Sequence, residues 1–175
     1  DVDRFDARYE HIVLWDDNDL EIVGAYRLAP AGATLAAHGD GALYTQSLFE
    51  FTPAMDAIWP EAVELGRSFV QPRYWGRRGL DYLWYGIGAW LRTRPGTRYL
   101  FGPVSISARY LETSQQLLMT FLDQHHHDDE LGRLVVPTTP PRHRAATHTR
   151  HGSAALSADE VHRLIATWEP DRKGM

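Results

Sequence analysis

The part of this sequence best equipped for chemistry is a strand pattern that runs into a turn rich in arginine and glycine and then into a helix, over residues 64–79. The first amides of a helix have no intrahelical acceptor and carry partial positive charge, so a helix that starts near residue 77 can cradle a phosphate. Gly76 and Gly79 let backbone approach such a group closely, and Arg73, Arg77 and Arg78 add formal charge around it. The chemistry this predicts is the grip on a phosphate-bearing cosubstrate.

Charge along the chain agrees. Residues 67–98 hold seven arginines against the single acid Asp81, an excess of six positive charges inside a chain of net charge −5. The rest is therefore strongly acidic, and a basic pole on an acidic body steers anionic partners. Nucleic acid is excluded as the expected partner: no nucleic-acid-binding motif accompanies the arginines, and the remainder of the chain would repel phosphate backbone. A phosphopantetheine thioester, carried on coenzyme A or on an acidic carrier protein, fits better. The competing reading is a solvated basic surface with no dedicated partner.

The elements that must position these residues follow from periodicity. Residues 11–15 and 22–28 alternate as two strands about the turn-forming run Asp16, Asp17, Asn18, Asp19, which predicts an antiparallel hairpin. Residues 29–41, rich in Ala and Gly with Pro30, read as a surface loop, 43–51 as a third strand, 53–59 as a short turn and 63–70 as a fourth strand closed by Pro72. Residues 77–91 place Leu80, Leu83, Trp84, Ile87 and Leu91 on one helical stripe. Gly86 and Gly88 within it each cost about 1 kcal/mol relative to alanine, which signals close approach to a neighbouring strand. A fifth strand at 99–106, a helix at 110–122 with Leu117, Leu118 and Phe121 inward, and a short strand at 134–136 complete the ordered pattern. A proline-, arginine- and histidine-rich loop spans 137–152, and Ser157 to Glu160 is a capping box that opens a last helix bearing Val161, Leu164, Ile165 and Trp168. The fold class expected is α+β, a mixed and mostly antiparallel sheet flanked by helices, with one crossover helix. Residues 1–136 form the expected core, 137–156 the loop, and 157–175 a C-terminal helix that begins a further C-terminal part.

The chain has no cysteine, which removes disulfides and thiolate metal sites and fits a reducing compartment. No apolar run reaches the roughly 20 residues a spanning helix needs, and residues 1–4 do not open like a signal peptide. With no initiator methionine, a fragment or processed product is expected. His11 and Asp16 have an H-x₄-D spacing, but they lie in a strand pattern that alternates its side chains, so the spacing reads as coincidence. Ser68 lacks the second glycine of a nucleophile elbow. His125, His126 and His127 are adjacent at a helix end and are not expected to converge on a metal. Trp59, Trp75, Trp84 and Trp90 read as core or rim aromatics.

Val70, Pro72, Tyr74 and Gly76, in the pattern V-x-P-x-Y-x-G, resemble the acyl-donor motif of GNAT acyltransferases. The wider pattern from Glu64, Leu65, Gly66 and Arg67 to Tyr99, Leu100, Phe101 and Gly102 resembles the ornithine and amino-acid lipid N-acyltransferases, also labelled hemolysin-like. Arg4, Phe5 and Asp6, followed by Gly24, Arg27 and Leu28, resemble the related acyl-homoserine-lactone synthases. The resemblance implies a GNAT-like fold and direct attack of an amine on an acyl thioester, with acyl carrier protein or coenzyme A as co-substrate and no tightly bound cofactor. It implies an amino acid or amino lipid as acceptor, in the bacterial cytoplasm with contact at the inner face of the membrane. Glu64 becomes the candidate general base or amine-orienting carboxylate, against a structural Glu64–Arg67 pair. Arg67 and Arg27 become candidates for the acceptor's carboxylate, and Phe101 and Gly102 flank the thioester. Val70, Arg73, Tyr74, Trp75, Gly76, Arg77, Arg78 and Gly79 form the donor site. Two departures, Trp75 in place of Gln or Arg and Arg78 in place of Gly, weaken an acetyl-coenzyme A grip and point to a long-chain acyl donor. GNAT folds end in two further strands that this sequence does not show, which implies that a C-terminal part belongs to a longer parent. The alternatives are a lactone signal synthase, which would need S-adenosylmethionine, and a non-catalytic acyl- or carrier-binding module.

Overall fold

The computed structural model describes residues 2–139 and 156–169. It divides into two compact units, Asp1–Pro103 and Val104–Met175. The first contains strands β1 (Glu10–Asp16) and β2 (Glu21–Pro30), helix α1 (Ala31–His38), strands β3 (Phe49–Phe51) and β4 (Ala62–Val70), helix α2 (Gly79–Arg92) and strand β5 (Tyr99–Phe101). The second contains α3 (Glu112–His126), α4 (Asp129–Gly132), β6 (Val135–Pro137) and α5 (Ala158–Trp168).

A four-stranded sheet in the order β1-β2-β4-β5 is the frame of the first unit, antiparallel at β1/β2 and β2/β4 and parallel at β4/β5. The predicted hairpin is present: Asp16 Oδ1 accepts the amides of Asn18 (2.9 Å) and Asp19 (3.3 Å), which closes the turn. Leu28, Val63, Leu65 and Ile87 form the core, with Ile12, Tyr26, Trp90 and Leu91 packed around it, so one face of the sheet is given to α2. On α2, Leu83 and Ile87 are buried as expected, whereas Leu80 and Trp84 remain half exposed. A Cβ at Gly86 would stand 2.7 Å from Ile12 Cγ2, so this glycine does seat the helix on β1; nothing lies within 4 Å of the same point on Gly88.

Three expectations are corrected. Residues 29–41 are not a loop: β2 continues to Pro30 and α1 follows at once, its alanines being strong helix formers, until Gly39 at φ 74° ends it, its N–H donating a hydrogen bond to the Leu35 carbonyl. Residues 43–51 are strand only at β3, because Tyr44–Ser47 turn as a 3₁₀ segment whose amides are drawn to Glu64. The fifth strand stops at Phe101 rather than 106. It pairs with β4 only through Ala62↔Tyr99, Val63↔Leu100 and Glu64↔Phe101. At Gly102 the chain grazes β4 so closely that a Cβ would lie 1.9 Å from the Leu65 carbonyl oxygen.

In the second unit, the Glu169 carboxylate accepts the Leu111 amide at 2.6 Å and ties the start of α3 to the end of α5. The capping box of Ser157 and Glu160 is present in both directions, and Val161 and Ile165 are the buried residues of α5. Most of the predicted 137–152 loop lies outside the described residues. Among the described residues no helix is long and apolar enough to cross a membrane.

The two extreme glycines give a paired test. Gly102→Ala should cost about 2–4 kcal/mol of unfolding free energy, because the backbone of β4 must move. Gly88→Ala should gain up to about 1 kcal/mol. Urea titrations of the two variants check both, and equal effects would contradict the packing described.

Candidate functional site

β2 and β4 turn alternate side chains to opposite faces. With Leu28 and its partner Leu65 facing α2, Arg27 and Glu64 must face the other way, and so must His11, the β1 partner of Arg27. The sequence analysis proposed Glu64, Arg67 and Arg27 separately; the fold brings them to one side of one sheet.

Arg27 is 1% exposed. Its guanidinium lies over the rings of Tyr9 (4.8 Å), Tyr44 (5.6 Å) and Phe5 (5.7 Å). Nη1 donates to Asp3 Oδ1 (2.9 Å) and Asp6 Oδ1 (2.7 Å), while Nε and Nη2 have no acceptor among the described residues. Arg67 donates from Nη1 to Asp3 Oδ2 at 2.8 Å, so Asp3 bridges the two arginines. The expected structural alternative for Glu64, a pair with Arg67, is replaced by this bridge. Partial burial pushes Asp3 upward, but the bonds from Arg67, Arg27 and the Phe5 amide outweigh it and hold its carboxyl at about 2. Asp6 is also lowered, by the Asp3 amide and then by Arg27.

Glu64 is 1% exposed as well. Its Oε1 accepts from the Thr45 amide (2.6 Å) and the Thr45 hydroxyl, and its Oε2 from the Tyr44 amide (3.1 Å) and the Tyr9 hydroxyl. Burial, then the bond to Glu64, raises the Tyr9 phenol well above its ordinary value, so it stays protonated and donates.

A pocket of about 420 Å³ opens on this face, with Asp6, His11, Ala25, Arg27, Arg67 and Phe69 among its walls. That is within the range of about 300–1,000 Å³ common to small-ligand sites. Its charged lining is the guanidiniums of Arg27 and Arg67 and the carboxylate of Asp6, and Asp3, bonded to both arginines, brings the local sum to zero. Sequence reasoning did not single out Asp3, Tyr9, Tyr44 or Thr45, and it set His11 aside. The hairpin register that pairs His11 with Arg27 was the signal for the last of these.

The turn at 71–78, where the sequence predicts donor binding, lies at the far end of β4. Arg73 pairs with Asp19 Oδ2 (3.0 Å) and with Glu21, and Tyr74 donates to Asp16 Oδ2 (2.6 Å), so both tie the turn to the β1–β2 hairpin. Gly76 takes a left-handed φ of 76°. Trp75 donates to the Val70 carbonyl yet stays 70% exposed. Arg78 pairs with Asp81 and donates to the Tyr85 hydroxyl, while Arg77 lies 5.9 Å from the Tyr74 ring at the start of α2, beside Gly79. Phe101 stacks on Trp59 at 5.6 Å and Gly102 lies against Leu65.

The Asp3 bridge predicts a pH dependence. Asp3 titrates below the ordinary 3.8 in the folded chain, so its contribution is complete above that value and is lost as pH falls toward about 2. Asp3→Asn should lower the thermal midpoint at neutral pH and flatten its fall between about pH 4 and pH 2, read by circular dichroism melts.

The family profile described as an acetyltransferase (GNAT) domain matches residues 1–85. The chain is 32% identical over 152 residues to the glycine N(alpha)-acyltransferase of Phocaeicola vulgatus, covering 80% of this chain and 46% of that protein. To the L-ornithine N(alpha)-acyltransferase of Rhodobacter capsulatus it is 30% identical over 132 residues (73% and 48%), and to that of Brucella abortus 29% over 153 residues (83% and 51%). The chain spans about half the length of the curated relatives it matches. No solved structure matches it significantly. The mixed sheet with its parallel β4/β5 pair, the matched domain profile and these relatives agree: the chain carries a GNAT-like domain similar to that of the amino-acid N(alpha)-acyltransferases.

Proposed function

We propose that this chain supplies the site at which a long-chain acyl group passes from a carrier-protein or coenzyme A thioester to the amine of an amino acid. The observation that carries the reading is the pocket of paired charges on the Arg27 face. A free amino acid is a zwitterion, and a pocket lined by two guanidiniums and a carboxylate can exchange those internal pairs for its two ends. Arg27, which lines this pocket, has two N–H-bearing nitrogens with no acceptor among the described residues, and each such buried donor costs about 1–3 kcal/mol until it is met. The names of the relatives, glycine and L-ornithine N(alpha)-acyltransferase, support an amino acid as acceptor.

The donor reading rests on β4. Its pairing with β5 ends at Glu64↔Phe101, while β4 continues to Val70, so a pantetheine-like arm can add along its edge toward α2. Val70, Tyr74, Trp75, Gly76, Arg77, Arg78 and Gly79 then receive the phosphate end, with Arg73 fixing the turn, and Phe101 and Gly102 flank the thioester. The exposed Trp75, Leu80, Tyr82 and Tyr85 beside these arginines suit an acidic carrier and a fatty chain better than an acetyl group. Glu64, enclosed by four donors, acts as a positioning residue: it holds Tyr9, Tyr44 and Thr45, and through two of their rings the cage around Arg27.

Purified protein mixed with acyl carrier protein or coenzyme A thioesters and with glycine or ornithine should release free thiol and form N-acyl amino acid, detected by mass spectrometry. Failure with every pair, under conditions where the protein is folded, would overturn the reading. Arg67→Ala should raise KM for the amino acid about 10- to 100-fold, the equivalent of about 1.5–3 kcal/mol for a hydrogen bond to a charged group. Glu64→Gln should lower stability by about 2–4 kcal/mol and activity along with it, since the amide turns a donor toward donors. Lost turnover at unchanged stability would instead make Glu64 the base.

A further inference from the structure

We infer that His11 is the proton acceptor for the attacking amine, with Asp6 steadying its ring, an inference that rests on the acyl-transfer reading above. His11 stands on β1 directly opposite Arg27 and lines the same pocket as Arg27 and Arg67. Its side chain is 40% exposed, and Nε2 lies 3.9 Å from Asp6 Oδ1, which leaves Nδ1 with no partner among the described residues. That separation suits a carboxylate that attracts an imidazolium once it forms; such contacts are commonly long before substrate binds.

Every carboxylate around the pocket is already bonded. Asp6 receives Arg27 on one oxygen and the Asp3 amide (2.7 Å) on the other, and Asp3 receives both arginines. Glu64 is closed in by four donors, one of them the Tyr9 hydroxyl. Glu10, next to His11 in sequence, is bonded to Trp90 and Arg94. The charges facing His11 are thus Asp6 beside it and Arg27 and Arg67 across the pocket, with Asp3 between the arginines. An imidazole can accept and return a proton near neutrality, which the arginines cannot.

The acceptor's ammonium sheds one proton to solvent, and the neutral amine nitrogen bonds to the thioester carbonyl carbon. His11 takes the proton that this nitrogen can no longer keep. The carbon–sulfur bond then breaks with its electron pair on sulfur, and the imidazolium returns the proton to the thiolate, leaving an amide and a free thiol.

His11→Gln and His11→Ala, assayed in the full chain with an acyl thioester and glycine or ornithine, test this. A general base contributes about 10²- to 10⁴-fold. The expected result is a fall of about 100-fold or more in kcat, KM for the amino acid within about threefold, an unchanged thermal midpoint, and partial recovery of His11→Ala by added imidazole. Asp6→Asn is expected to lower kcat less than either. A His11→Gln kcat within about threefold of wild type, or a loss carried wholly by KM, or a His11→Ala variant that imidazole does not restore, overturns the role of His11 while the acyl-transfer reading stands. A wild type that transfers no acyl group removes both.

Discussion

The structure of the first unit turns on one buried positive charge. Removing a guanidinium from water costs several kcal/mol even after relaxation, and that cost must be met by nearby opposite charge, hydrogen bonds and polarisable faces. Arg27 receives all three: the carboxylates of Asp3 and Asp6, and the rings of Phe5, Tyr9 and Tyr44. Because Asp3, Phe5, Asp6 and Tyr9 all precede β1, this single charge fixes the segment that leads into the sheet. Its hold extends along that segment, since Asp3 and Asp6 exchange amide-to-carboxylate bonds as well.

Glu64 is the opposite charge, equally enclosed, on the neighbouring strand of the same face, yet the two do not bond to each other. Tyr9 joins them instead, offering its ring to the cation and its hydroxyl to the carboxylate. Tyr44 does the same with ring and amide. Loss of either charge therefore loosens the tyrosines that help hold the other, and the cage is cooperative for that reason. This also explains the failure of the 43–51 strand: a carboxylate that needs donors outcompetes a sheet ladder for the amides of Tyr44 and Thr45.

The legible parts of the sequence were those written in periodicity. Alternation gave β1, β2 and β4, the Asp-rich run gave their turn, and the 3.6-residue stripe gave α2 with its close glycine at Gly86. The parts that were not legible depend on contacts distant in sequence. Alanines and glycines at 31–38 look alike in a loop and in a helix until Ala31 is seen to be buried and Gly39 to end the turn. Arg27, Glu64 and Arg67 were found by type and pattern, but their partners Asp3, Tyr9 and Thr45 carry no local mark, because any surface aspartate or tyrosine reads the same way. His11 was set aside because its alternating strand made one spacing meaningless. The same alternation, carried across the hairpin to Arg27, places it on the pocket.

One backbone irregularity converts this frame into a site. Between Ala25↔Phe69 and Arg27↔Gly66, β4 holds one residue more than β2, and Arg67 takes up the difference at φ 48°, a conformation that costs a non-glycine residue about 1–2 kcal/mol. An extra residue reverses the phase of every side chain beyond it. Without the bulge, Val70 would share the face of Glu64 and Phe69 would point to α2; with it, Val70 packs beneath α2 and Phe69 joins Ala25 and Arg27 on the pocket wall. The same bulge turns the Arg67 guanidinium to Asp3, just past the point where β5 stops pairing with β4. A regular strand would have continued the ladder and separated these groups. The strained residue therefore sets two features at once: the charged wall of the pocket, and the strand edge that β5 leaves open.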